Sequence, residues 1–299
     1  MAGQLTARRF LLYGLGAGRG HATRTGALCA ALAQRGAEVR LLVSAGTRAI
    51  VQPLGVDPSA VWEVSDAPAR AWALALESFA PTDCIVDTFP EGLAHELDPA
   101  QRLEARWVAL LRCRRDAAAP AFLASLGRYA EILDLEPGLG WAPPRAKPFG
   151  SVVRDVGVAL GEPATDVLLV GTESRQRPFL EHLAARLERA GVRTRAEPSP
   201  AVDRTQAALF SAEDLSARVV VGPAGYNLTY ELSALGVWHL ALPASRQYDD
   251  QELRAQRVAT VAHAPAAVER RVRAWLDQGA LRPRGDVRAI RQLASELWR

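Results

Sequence analysis

The run Gly14-Leu15-Gly16-Ala17-Gly18-Arg19-Gly20-His21 stands between a short apolar segment and a stretch of helical pattern. Glycines at such a turn permit positive φ and close backbone approach, and the following helix start offers unpaired N–H groups and a positive dipole end to an anion. The spacing is not the GxGxxG of a dinucleotide turn, and Val43-Ser44-Ala45-Gly46 supplies no acid for a ribose at the end of the second apolar run. A nicotinamide cofactor is therefore not expected. His21 is the more telling residue. At the carboxyl end of a first parallel strand it faces the crevice where open α/β sheets bind ligands, and imidazole is the commonest general base. The competing reading is a histidine that only packs or caps the first helical turn.

A second constellation is Val219-Val220-Val221-Gly222-Pro223-Ala224-Gly225-Tyr226-Asn227-Leu228-Thr229-Tyr230-Glu231. A valine strand runs through a glycine turn into a helix with Asn227 as its expected cap, which makes a second anion-binding helix start. Glu231, one turn in, is either a surface carboxylate favouring the helix dipole or an acceptor for two ribose hydroxyls. Tyr248-Asp249-Asp250-Gln251 follows the next strand end and offers acid and amide groups to a polyol, against the plainer reading of a solvated helix start. Asp87, in Ile85-Val86-Asp87-Thr88-Phe89-Pro90-Glu91-Gly92, also ends a strand, where an acid serves either a turn or a bound acceptor.

These residues need a scaffold of parallel strands, and the apolar rhythm supplies one. Phe10–Tyr13, Val39–Val43, Cys84–Val86, Trp107–Leu111 and Glu131–Leu133 read as strands, with a helix from about Ala22 to Arg35 stopped by Gly36. Between Pro137 and Pro148 glycines and prolines accumulate, marking a connection between domains. Beyond it the rhythm restarts: strands Asp166–Val170, Val192–Arg195, Val219–Val221 and Trp238–Leu242, helices Pro178–Ala190, Asn227–Leu235 and Asp249–Arg257. Val268, Val272 and Trp275, then Ile290, Leu293 and Leu297, form apolar stripes of two terminal helices. The expected architecture is two doubly wound, Rossmann-like α/β domains facing across a cleft, residues 1–149 and 150–299.

At 299 residues, 49% hydrophobic and 23% charged, the chain belongs to the globular class and is long enough for two cores. Its 36 cations are interspersed with 33 anions, so no nucleic-acid footprint is required. Cys29, Cys84 and Cys113 are widely spaced and form no CxxC, which argues against a disulfide framework or zinc site. Without a signal h-region or an apolar run of membrane length, a cytoplasmic location is expected.

The order and spacing of these segments resemble the GT-B glycosyltransferases, particularly the MurG-like group of family 28. Gly18-Arg19-Gly20-His21-Ala22-Thr23-Arg24 is similar to that group's GxGHxxR loop, and Ile85 to Leu93 to its acceptor-domain segment. Gly150-Ser151-Val152-Val153-Arg154 resembles the interdomain pattern, and Gly225 to Glu231, Leu242-Pro243 and Asp250-Gln251-Glu252 with Arg254-Ala255 resemble the donor half. The resemblance implies an inverting, metal-independent hexosyltransferase with a uridine-linked nucleotide sugar as co-substrate and no other cofactor. The first domain would take a small-molecule or lipid-linked hydroxyl acceptor, the latter with peripheral membrane contact. His21 would be the base and Asp87 part of the catalytic site. Gly18, Gly20, Arg154, Gly171, Thr172, Gly225, Tyr226, Asn227 and Thr229 would serve the donor, Glu231 its ribose, and Asp250 and Gln251 its sugar hydroxyls. One departure stands out: Gly171-Thr172-Glu173-Ser174-Arg175 replaces the family's glycine-rich loop and places a negative charge where phosphate is expected. A nucleotide-sugar hydrolase and a non-catalytic binding protein of the same fold are the alternatives.

Overall fold

The computed structural model describes all residues except 1–7, 17–18, 98–103, 117–118, 141, 158–162, 164, 172–175, 198–214, 262–263, 280–281 and 283. The first stretch of chain forms β1 (Arg9–Gly14), α1 (Arg19–Ala33), β2 (Glu38–Ser44), α2 (Arg48–Val51), β3 (Val61–Val64), α3 (Pro68–Phe79), β4 (Asp83–Asp87), β5 (Arg106–Leu111), α4 (Pro120–Leu126), β6 (Glu131–Asp134), β7 (Lys147–Pro148) and β8 (Val152–Val153). It is followed by β9 (Thr165–Val170), α5 (Arg177–Arg189), β10 (Thr194–Glu197), β11 (Ala217–Gly222), α6 (Tyr226–Leu235), β12 (Trp238–Ala241), α7 (Gln251–Val258), β13 (Thr260–Val261) and α8 (Pro265–Gln278). The chain ends with β14 (Arg288–Ala289) and α9 (Ile290–Leu297).

These elements make two compact units, residues 1–154 with 288–299, and residues 155–287. The break thus falls five residues later than the expected 149/150, and the last helix returns to the first unit. Local chemistry explains the return. β14 pairs in parallel with β8, α9 buries Ile290, Leu293, Ala294 and Leu297, and Trp298 stacks on Phe10 with ring centroids 6.1 Å apart. Arg8 and Arg106 donate to the carbonyls of Trp298 and Leu297, placing cations where a helix end leaves acceptors unpaired.

The first sheet runs β3-β2-β1-β4-β5-β6-β7 and the second β10-β9-β11-β12-β13, with every neighbouring pair parallel. Strands covered on both faces by crossover helices must be apolar throughout rather than alternating. Phe10 to Tyr13, Leu41 to Val43 and Val219 to Val221 accordingly have no exposed surface. In the second unit Val167, Leu169, Val219 and Val221 pack with α5 and α8, while the intervening Leu168, Val170 and Val220 pack with Leu232 of α6. That alternation is the doubly wound arrangement. Among the described residues no helix is long and apolar enough to cross a membrane.

Candidate functional site

In an open parallel sheet the ligand crevice lies beyond the carboxyl ends of the strands, where the strand order reverses. In the first unit that point lies between β1 and β4, because β1 pairs with β2 on one side and β4 on the other. The loop after β1 delivers His21 there, and β4 ends at Asp87. α1 begins at Arg19, so His21 lies inside its first turn and Gly20 is its second residue; the expected start near Ala22 is corrected. A Cβ on Gly16 would lie 2.3 Å from the His21 ring, so only glycine lets the loop pass this close. Gly18 lies outside the described residues.

The His21 ring is buried and its Nδ1 is 2.7 Å from Asp87 Oδ2. Arg24, on the same helix face one turn on, grips the same carboxylate with both arms of its guanidinium, Nε to Oδ1 at 2.8 Å and Nη2 to Oδ2 at 2.5 Å. Phe89 packs against the imidazole with ring centroids 5.1 Å apart. Burial pulls the His21 pKa below its ordinary 6.5; Asp87 pulls the other way without overcoming it, and Arg112 and Arg24 add to the lowering. For Asp87 burial alone would favour the neutral acid, but Arg24 and His21 reverse this and hold the carboxyl well below its usual range. An ionised Asp87 fixes the proton of a neutral His21 on Nδ1, leaving Nε2 with the lone pair that can accept another. This is the constellation of an oriented general base.

In the second unit the strand order reverses between β9 and β11, which end at Val170 and Gly222. A Cβ on Gly222 would meet the Val170 side chain at 3.0 Å, which keeps the two strand ends close. Gly171 is buried at the end of β9, whereas Thr172, like the rest of the loop through Arg175, lies outside the described residues. The start of α6 differs from the expected one. Gly225, in extended conformation, is the cap residue, no side chain caps the turn, and Asn227 is the second helical residue. The positive dipole end of α6 at this turn is of the kind that favours an anion.

Behind that turn Arg254 is fully buried; it donates to the Ala224 carbonyl at 3.0 Å, pairs with Asp249 at 2.8 Å and lies 5.8 Å over the Tyr226 ring. Gln251 accepts from the Ala244 N–H at 3.0 Å and donates to Asp249 at 3.2 Å. Asp250 caps α7 by accepting from the Leu253 N–H at 3.1 Å. Gln251 thus spends both ends of its amide holding this loop together. Glu231 is only 4% exposed, which disposes of the surface-carboxylate reading. Thr229 is also buried, and its Oγ1 has no hydrogen-bond partner. Arg154 is half-buried after β8 and belongs to the first unit, and the Gly225–Gln251 cluster belongs to the second. Arg24 and Arg254 were visible only as motif members; their service to Asp87 and to the α6 turn depends on folding.

A second buried histidine gives a pH dependence to stability. Burial drives His239 on β12 down to a pKa of about 4, while its Nε2 lies 3.4 Å from the Gly222 carbonyl. His21 and His239 are both held neutral in the fold and titrate near 6.5 when unfolded, so the unfolded chain binds more protons below that pH. Their contribution is complete above pH 6.5 and is lost as pH falls towards 4. Thermal melts should show Tm dropping below pH 6.5, and His239→Gln should flatten part of that drop. A Tm constant from pH 7 to pH 4.5 would contradict the neutral state of both rings.

No family model matches the sequence, and no curated protein is similar to it in sequence. Solved structures match nearly its whole length. The spinosyn forosaminyltransferase SpnP is 17% identical, with a TM-score of 0.66 over 97% of this chain and 95% of its own. The glycosyltransferase VinC, solved with DTDP, is 14% identical, with a TM-score of 0.66 over 97% and 98%. The calicheamicin glycosyltransferase CalG4 is 17% identical, with a TM-score of 0.62 over 97% and 98%. The fold is that of the GT-B glycosyltransferases.

Proposed function

We propose that this chain is an inverting glycosyltransferase that moves a sugar from a nucleoside diphosphate donor to a hydroxyl of a small-molecule or lipid-linked acceptor. The observation that carries the reading is the buried His21–Asp87 pair, 2.7 Å apart at the strand-order reversal of the first sheet. His21 Nε2 takes the acceptor's hydroxyl proton as the oxygen bonds to the anomeric carbon. The bond from that carbon to the diphosphate oxygen breaks on the opposite face, and the nucleoside diphosphate departs with the electron pair. The α6 start at Tyr226-Asn227, together with Arg154, meets the developing charge on the leaving group without calling on a metal. Gly18, Gly20, Gly171 and Thr172 are assigned to the donor's phosphates by the motifs, Thr229 lies on the same helix as Glu231, and Asp250 and Gln251 are assigned to the sugar hydroxyls. The MurG-like grouping is carried by the motifs alone.

Glu231 takes the ribose hydroxyls. A buried carboxylate lost from such a contact costs about 1.5–3 kcal/mol, so Glu231→Ala should weaken the nucleoside diphosphate Kd by roughly 10- to 150-fold. Calorimetry with uridine diphosphate and thymidine diphosphate checks this, and an unaltered Kd would remove Glu231 from the donor site. The uridine nucleotide follows from the motifs. The DTDP held by VinC supports a second reading, a thymidine-linked donor, and the two titrations separate them.

A further inference from the structure

Asp87 is followed by Thr88, a β-branched residue at φ 72°, a conformation such side chains rarely adopt. The N–H of Phe89 donates back to the carbonyl of Asp87 at 2.9 Å, so Thr88 is the central residue of a three-residue turn, the strained γ-turn with positive central φ. All of its polar groups are engaged. Its N–H donates to the Leu110 carbonyl at 2.9 Å and its carbonyl accepts from Arg114 Nη1 at 2.8 Å. Its hydroxyl accepts from Arg112 Nε at 2.8 Å and, more weakly, from Arg24 Nη2 at 3.4 Å. Strain of this kind persists only where the surroundings over-determine it, and it collects at functional sites. Here the residues on either side of Thr88 both touch the imidazole: Asp87 through Nδ1 and Phe89 through its ring face.

We propose that Thr88 is a positioning residue: its turn aims Asp87 and Phe89 at His21 from two directions, and its hydroxyl ties Arg112 and Arg24 to the same point. The inference rests on His21 being the base. The charged groups acting on that ring are Asp87 from the end of β4, Arg24 from α1 and Arg112 from the segment after β5. Arg112, held by the hydroxyl, and Arg24, held chiefly by Asp87, oppose imidazolium formation, and one carboxylate favours it. The turn therefore sets the orientation of the ring and the balance of charge around it together.

The test uses Thr88→Ser, Thr88→Val and Thr88→Gly in the full chain, reading the tautomer and titration of His21 by imidazole nitrogen NMR alongside Tm and kcat. The four other histidines serve as internal references. Serine keeps the hydroxyl and should match the parent protein. Valine keeps the shape but releases Arg112 from the hydroxyl while Arg24 stays on Asp87, and should raise the His21 titration midpoint by about half a pH unit or more. Glycine relieves the positive φ, so its Tm should hold or rise while His21 populates both tautomers and kcat falls about 10-fold or more. If valine and glycine both leave the tautomer and the titration of His21 unchanged, the proposal is overturned and Thr88 is only part of the fold; if valine does not fold, glycine alone decides. If the NMR changes appear but the parent protein turns over no nucleotide sugar, the positioning role stands and the transferase reading falls.

Discussion

Replacing His21 with alanine is expected to lower kcat by about 10² to 10⁴, the usual loss when a general base is removed, while the Kd for the nucleoside diphosphate stays within about twofold. The split follows from placement: His21 stands at the strand-order reversal of the first unit, whereas Glu231 and the α6 start belong to the second. The substitution should not unfold the protein, because Asp87 keeps both bonds from Arg24. None of the three charged groups acting on the ring can replace the base. Arg24 and Arg112 are cations without a lone pair to offer, and Asp87 is held ionised by groups that compete for its oxygens. Nucleoside diphosphate release, timed under saturating donor and acceptor, checks the prediction. Turnover equal to that of the parent protein would assign the proton to another group.

Asp87→Ala should act first on stability. Asp87 has no exposed surface and Arg24 is 2% exposed, so deleting the carboxylate strands a guanidinium in the interior. Breaking a buried pair from one side typically costs about 3–5 kcal/mol, whereas replacing both partners by apolar groups of similar shape is often close to neutral. Urea unfolding should therefore show a large drop for Asp87→Ala and substantial recovery in the Asp87→Ala/Arg24→Met double variant. Neither variant should regain full turnover, because His21 then lacks the acceptor that holds its proton on Nδ1. A single variant within about 1 kcal/mol of the parent protein would mean that the pair is solvated rather than buried.

Much of this scaffold was legible because doubly wound sheets write themselves as continuous apolar runs. Phe10–Tyr13, Val39–Val43 and Val219–Val221 each fall inside an observed strand. The parallel rhythm was enough to carry His21 and Asp87 to the same sheet edge. The short β3 was missed because Val61-Trp62-Glu63-Val64 is too brief and too mixed to stand out from a loop. The return of α9 was hidden because an amphipathic stripe shows that a helix must pack but not on what. Within the site, residue types were readable and their partners were not. Glu231 could have been a surface acid, and only the path of α6 buries it. Asn227 has the chemistry of a cap, yet Gly225 takes that place one residue before the helix begins. Thr88 left no trace, since nothing in its type announces a positive φ.

The central claim, a nucleotide-sugar transferase built around His21 and the α6 donor site, is tested most directly by calorimetric titration of the full chain with uridine diphosphate and thymidine diphosphate. The account predicts saturable binding of one of them with a Kd below about 1 mM, weakened by Glu231→Ala and unaffected by His21→Ala. No binding of either nucleotide at millimolar concentration would contradict it, and would make the charged Gly171–Arg175 loop the mark of a GT-B fold that has lost its pyrimidine nucleotide donor.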